Sequence, residues 1–121
     1  MNNAANYKNL FVMIRGGGRR LLIERMEVAD NICARMKGLL KRERIDETEG
    51  MLITPCNCVH TFGMKFPIDI VFIDKHGCVI SSRMNVDRNR VAGVFKAKHT
   101  LELPAGMLET LAIRVGDQLA W

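Results

Sequence analysis

The chain has 121 residues, 48% of them apolar and 26% charged, and its 18 Lys and Arg outnumber its 13 Asp and Glu for a net charge of +5. That length fits one domain that buries roughly two-thirds of its unfolded surface, and such usage excludes both a disordered chain and a membrane-resident one. Four cysteines spread through apolar segments are too sparse for a disulfide scaffold, so reduced thiols are expected.

Residues 1–9 are polar and Asn-rich and read as a flexible N-terminus, which leaves 10–121 as a single domain. Leu10–Ile14 and Leu21–Val28 are short apolar or alternating runs separated by RGGGRR, and three glycines there predict a hairpin. The same glycines do not form a phosphate loop, because no Gly-Lys-Ser/Thr follows and the next segment reads as a strand. The first run is too short for the hydrophobic region of an export signal and no small-residue cleavage pattern follows it, so a cytoplasmic location is expected. Asp30 is placed to cap a helix over 30–42, where Ile32, Met36, Leu39 and Leu40 recur at helical spacing.

A strand is predicted at Met51–Thr54 and interrupted by Pro55. Ile68–Ile73 is the strongest strand in the sequence, with Ile68, Ile70 and Phe72 on one side and Val71 and Ile73 on the other, and it is expected at the centre of a sheet. DKHG turns the chain back into Cys78–Arg83. Residues 86–93 form a polar, basic excursion to which no regular element is assigned. Extended structure is predicted again over Phe95–Leu103, a short helix over 104–112 after Pro104, and a last strand after the Gly116-Asp117 turn. This element count places the chain in the α+β class, rich in β structure.

The chemistry concentrates in PCNCVHTFGMK. If Cys56–Phe62 is extended, Cys56, Cys58, His60 and Phe62 share one face. Three soft donors in a row, with Met64 nearby, suit Zn(II) or Cu(I). Same-face positions about 7 Å apart are nonetheless wide for one ion, and no paired Cys-x-x-Cys motif is present. A nucleophilic reading takes Cys56 or Cys58 as thiolate with His60 as base. Against both stands the ordinary behaviour of a free cysteine as a small core residue, and of a histidine bonded to backbone. Asp69 inside an apolar strand requires a partner, for which Lys65 and His60 are nearest in sequence. His76 falls in a hairpin loop, and His99 has no assigned role. The basic residues lack the interleaved aromatics of a stacking platform, so nucleic acid is not an expected partner.

RMKGLLKRERIDETEGMLI (35–53), VHTFGMKFPIDIVFID (59–74), LELPAG (101–106) and VGD (115–117) together resemble the DUF192 family, also called UPF0127, of uncharacterised bacterial and archaeal proteins. The resemblance implies a compact, barrel-like antiparallel or mixed sheet with one or two short helices, and it implies no established activity. Carried over residue by residue, the HTFGM-type segment falls on His60, Thr61, Phe62, Gly63 and Met64, the polar strand position on Asp69, and the LELPAG glutamate on Glu102. Cys58 corresponds in other members to a different small residue, and 86–93 lacks the proline seen there. Many members carry a leader that this sequence does not show.

The resulting expectation is a non-catalytic binding or accessory domain. Its groove would be lined by His60, Thr61, Met64, Lys65 and Asp69, with Glu102 a further ligand-binding candidate, and would admit a small molecule or a partner's chain segment. The alternatives are a small hydrolase or transferase using Cys56 or Cys58 with His60, and a Zn- or Cu(I)-binding protein. No cofactor and no membrane insertion are expected.

Overall fold

The computed structural model describes residues 6–30 and 49–121. In chain order its elements are β1 (Asn6–Met13), β2 (Arg19–Ala29), β3 (Glu49–Ile53), β4 (Cys58–His60), β5 (Ile68–Ile73), β6 (Val79–Val86), β7 (Val91–Gly93), β8 (His99–Pro104), α1 (Met107–Thr110) and β9 (Leu119–Ala120). β1 starts at Asn6, inside the segment assigned above to the N-terminal tail; Asn6, Tyr7 and Lys8 pair with Val28, Glu27 and Met26, and the Arg25 guanidinium sits 4.1 Å from the Tyr7 ring centre. The helix expected over 30–42 falls, beyond Asp30, outside the described residues.

Among the described residues seven strands form one mixed sheet in the order β6-β5-β8-β3-β2-β1-β9, in which only β2 and β3 run parallel. The sheet curls until its two ends meet. Cys78 at the head of β6 bridges Gln118 before β9, and Val79 donates its N–H to the Asp117 carbonyl at 2.9 Å. Leu119 and Gly116 add bonds to the Gly77 and Val79 carbonyls, but the join is an isolated bridge and no strand ladder, so the architecture is barrel-like without being a closed barrel.

The curl creates two apolar compartments. Inside it, Leu10, Val12, Ile23, Leu52, Val71 and Leu101 pack with Leu108 of α1 and Leu119 of β9. On the other face, Met51, Ile53, Ile68, Ile70 and Phe72 pack beneath Val59, Met64 and Ala92. β5 serves both compartments and is buried at all six positions, as an apolar run broken only by Asp69 requires. Its alternation splits as the sequence predicts, Val71 and Ile73 to the first compartment and Ile70 and Phe72 to the second. Each apolar side chain buried this completely stabilises the fold by roughly 1.5–3 kcal/mol.

Extended structure does not run from Phe95. Ala97 donates its N–H to the Val94 carbonyl at 2.9 Å, closing a turn over 94–97, and β8 begins at His99. The helix expected over 104–112 is shorter than expected, a single turn over Met107–Thr110 that follows Gly106 at φ 94°. Among the described residues no helix is long and apolar enough to cross a membrane.

Candidate binding cleft

Over the second compartment β4 and β7 pair as a separate two-stranded ribbon, with Cys58 opposite Gly93, Val59 opposite Ala92 and His60 opposite Val91. Val59 and Ala92 face inward and are buried, so alternation turns Cys58, His60 and Val91 outward. A Cβ on Gly93 would lie 3.2 Å from both Cβ and Sγ of Cys58, which shows that the thiol lies across the bare glycine backbone. The Phe62 ring packs beside His60, centres 5.4 Å apart and planes tilted by 41°.

Cys58, His60 and Phe62 therefore gather as the sequence predicts. Cys56 is not part of the ribbon. It precedes the strand, donates its N–H to the Lys98 carbonyl at 2.9 Å, and turns its Sγ toward the Cys58 carbonyl at 3.4 Å. Cys56, Cys58 and Cys78 are free thiols. Among the described residues, no three His, Cys, Asp or Glu side chains are placed to hold one metal ion.

Thr61 and Met64 are both buried, for different purposes. Met64 packs in the second compartment, and its N–H bonds the Thr61 carbonyl at 3.2 Å across a turn that Gly63 permits at φ 81°. Thr61 fastens the basic excursion: its Oγ1 donates to the Asp87 carbonyl at 2.7 Å and accepts the Arg90 N–H at 2.8 Å, while its own N–H bonds the Arg90 carbonyl at 2.8 Å. Asn89 adopts φ 62° within that loop, a left-handed conformation that asparagine tolerates.

Asp69 is fully buried, and backbone N–H groups, rather than Lys65 or His60, donate to its carboxylate. Its Oδ1 accepts the Asn85 N–H at 2.7 Å, and its Oδ2 accepts the N–H groups of Gly106 at 3.0 Å and Leu108 at 2.9 Å. One carboxylate thus holds the end of β6 and supplies the first turn of α1 with an acceptor for its otherwise unpaired donors. Lys65 is exposed. Glu102 is wholly buried on β8, opposite Met51 on one side and Ile70 on the other, on the face that the ribbon covers.

These anchors frame a cleft of about 320 Å3 lined by Arg83, Met84, Asn85, Asp87, Arg90 and Val91 among others. Asp69 fixes the β6 wall through Asn85, Thr61 fixes the loop wall through Asp87 and Arg90, and the His60–Val91 pair joins the second wall to the ribbon. The cleft lining is open to solvent, with Met84 56% and Val91 63% exposed. Arg83 and Arg90 give it positive charge, and the Asp87 Oδ1 is engaged by the Arg88 N–H at 2.8 Å. The lining residues were not singled out from the sequence; the signal available was the VDRNR run itself, polar and basic between two strands.

His99 lies apart from this cleft. Its Nδ1 is 2.7 Å from Thr54 Oγ1 and its ring meets Trp121 edge-on at 4.9 Å. Burial holds its pKa below the usual histidine value, the neighbouring Lys98 charge adds to that, and Asp74 opposes it.

The comparisons with known proteins agree with this architecture. Over 98% of this chain and 88% of the other, it superposes with a TM-score of 0.81 at 22% identity on a protein of unknown function from Novosphingobium aromaticivorans. A Sinorhizobium meliloti protein described as a proposed transcription regulator gives 0.82 at 20% identity over 99% and 97% of the two chains. Likenesses at that identity show the fold alone. A UPF0127 protein of Thermococcus sibiricus is 30% identical over 80% of this chain and 66% of its own length, so the chain spans just under two-thirds of that relative. A UPF0127 protein of Pyrococcus furiosus is 28% identical over 86% of this chain and 91% of its own. The DUF192 family model, described as "Uncharacterized ACR, COG1430", matches residues 12–121. With that match running from the end of β1 through the ribbon and both anchors of the cleft, the chain belongs to the DUF192 (UPF0127) family, whose members are uncharacterised.

Proposed function

We propose that the protein is a non-catalytic binding domain that takes an acidic, partly apolar segment of a partner protein into the cleft between β6 and β7. The observation that carries this reading is the division of labour around the cleft: buried polar groups, Thr61 and Asp69, fix both walls, while the lining residues Met84, Val91 and Arg90 remain exposed. Fixing an open, apolar and basic surface lowers the ordering cost of binding, which is how a rigid scaffold gains affinity from a small contact. Arg83 and Arg90 suit carboxylates, and Met84 offers a deformable apolar contact. His60, opposite Val91 on the ribbon, and Phe62, whose ring packs beside it, extend the surface.

Panning a random-peptide display library on the immobilised protein tests this. The expected result is enrichment of peptides combining Asp or Glu with apolar residues, whose binding falls about tenfold or more when Met84 and Val91 are both replaced by Ser, a loss of about 1.4 kcal/mol. Peptides of random charge, or binding indifferent to those substitutions, would sink the reading.

A second reading, a Cys/His enzyme, draws on Cys58 and His60 sharing the outer face of β4. Timed alkylation with iodoacetamide separates the two. Under the binding reading Cys58 reacts at the rate of an ordinary exposed thiol at neutral pH; a rate one or more orders of magnitude faster would favour the enzyme.

A further inference from the structure

A larger cavity of about 410 Å3 lies at the β5–β6 turn, with Lys75, His76, Lys96 and Lys98 around it and Ile80 and Ala97 as its apolar lining. The backbones that carry the three lysines are fixed. In the turn, Gly77 donates its N–H to the Asp74 carbonyl at 3.0 Å, and Asp74 Oδ1 accepts the N–H groups of His76 at 2.8 Å and Cys78 at 2.9 Å. On the other side, Lys98 donates its N–H to the Ile73 carbonyl at 2.8 Å and accepts the Cys56 N–H at 2.9 Å, which ties the two connections together. Asp74 also lines the cavity, and the two N–H groups its carboxylate accepts come from its own turn.

We infer that this cavity binds a phosphate monoester. Lys75, Lys96 and Lys98 line one space of ligand size from two hydrogen-bonded connections, and even with the Asp74 carboxylate on the same lining the charge is positive, as suits a group carrying about −1.5 to −2 at neutral pH. Lysine serves phosphate as a point charge, so three flexible stems on fixed backbone suit a tetrahedral anion better than a planar one. Ile80 and Ala97 would meet the carbon skeleton that bears it. The monoester has two possible sources. Phe95, 93% exposed, stands in the same turn as Lys96, and its carbonyl accepts the Asn57 Nδ2 at 3.4 Å. A ring held open to water next to lysines fits the glycerol and acyl boundary of a phospholipid, whereas a soluble phosphorylated metabolite would make no use of it.

Amide chemical shifts followed during titration with glycerol 3-phosphate at constant ionic strength provide the test, with vesicles of phosphatidylcholine containing or lacking phosphatidic acid as the second arm. Saturable shifts at Lys75, Ala97 and Lys98 are expected, with affinity reduced about tenfold in K96Q/K98Q, whose changed side chains are exposed. If the lipid is the source, protein sediments with phosphatidic acid vesicles and F95S abolishes that while leaving the glycerol 3-phosphate shifts intact. If the source is soluble, the shifts appear without sedimentation. No saturation, shifts shared equally with Arg83, Arg88 and Arg90, or an unaltered K96Q/K98Q response would overturn the site.

Discussion

Burying an ionised carboxylate without partners costs several kcal/mol, and Asp69 offsets that cost with N–H donors from Asn85, Gly106 and Leu108. Asparagine at this position would keep one acceptor oxygen and turn an NH2 group toward a backbone donor. D69N is therefore expected to lower stability by about 2–4 kcal/mol, read as a lower urea midpoint at unchanged slope. An unshifted midpoint would show that the β6 wall does not depend on the carboxylate. His99 makes a prediction of a different kind. Burial holds its folded pKa below that of the unfolded chain, so below about pH 6.5 the unfolded state takes up a proton that the folded state resists. Stability should thus be complete above that pH and fall as pH drops through the depressed folded value. H99Q should flatten this part of a melting-temperature profile between about pH 7 and 5, and a profile identical to that of the unaltered protein would contradict the assignment.

At the scale of elements, β3 depends on a glycine because of what flanks it. A Cβ on Gly50 would lie 2.9 Å from Leu103 Cδ2 and 3.1 Å from Ile23 Cδ1, both buried side chains of β8 and β2. G50A should cost about 1–3 kcal/mol by forcing those two side chains apart, measured as a drop in the thermal or urea midpoint. A neutral G50A would show that the two methyl groups have room to move. The ribbon of β4 and β7 shows how an element can be present in the sequence and still be missed. Val91–Gly93 is too short and too interrupted to display period-two alternation, and its pairing with β4 is fixed by Thr61 and Asn57 across about thirty residues. The extended reading of Phe95–Leu103 fails at its start for a similar reason: the Val94–Ala97 turn is closed by a local bond and held by Asn57, and neither signal is carried by hydrophobic pattern.

Over the whole molecule, what the sequence displays is its periodic content. β5, its alternation, the hairpins at RGGGRR and DKHG and the short helix near Met107 follow from apolar spacing and turn residues. Site geometry is less legible, because it depends on where side chains are sent by tertiary pairing. Asp69 is expected near Lys65 or His60 by sequence proximity, yet the donors its carboxylate accepts lie sixteen or more positions away. The same holds for Thr61, whose hydroxyl is committed to Asp87 and Arg90, twenty-six or more positions on. Charge follows a similar rule: the basic excess is dispersed along the sequence, but folding collects Lys75, Lys96 and Lys98 around one cavity and Arg83 and Arg90 around another.

The terminal strands of the sheet join through the Cys78–Gln118 bridge and the few backbone bonds beside it, from Val79, Leu119 and Gly116. A sheet joined by so short a seam should breathe along that line before the long β5–β8 ladder loosens, since that ladder shares its load over six paired positions. The amides of Val79 and Leu119, which bond the Asp117 and Gly77 carbonyls across the join, are expected to exchange with deuterium faster than those of β5 and β8. Because the lysine-rimmed hollow and the turn that bears it sit beside the same join, such breathing would reshape that hollow while the cleft between β6 and β7, pinned by Thr61 and Asp69, stayed rigid.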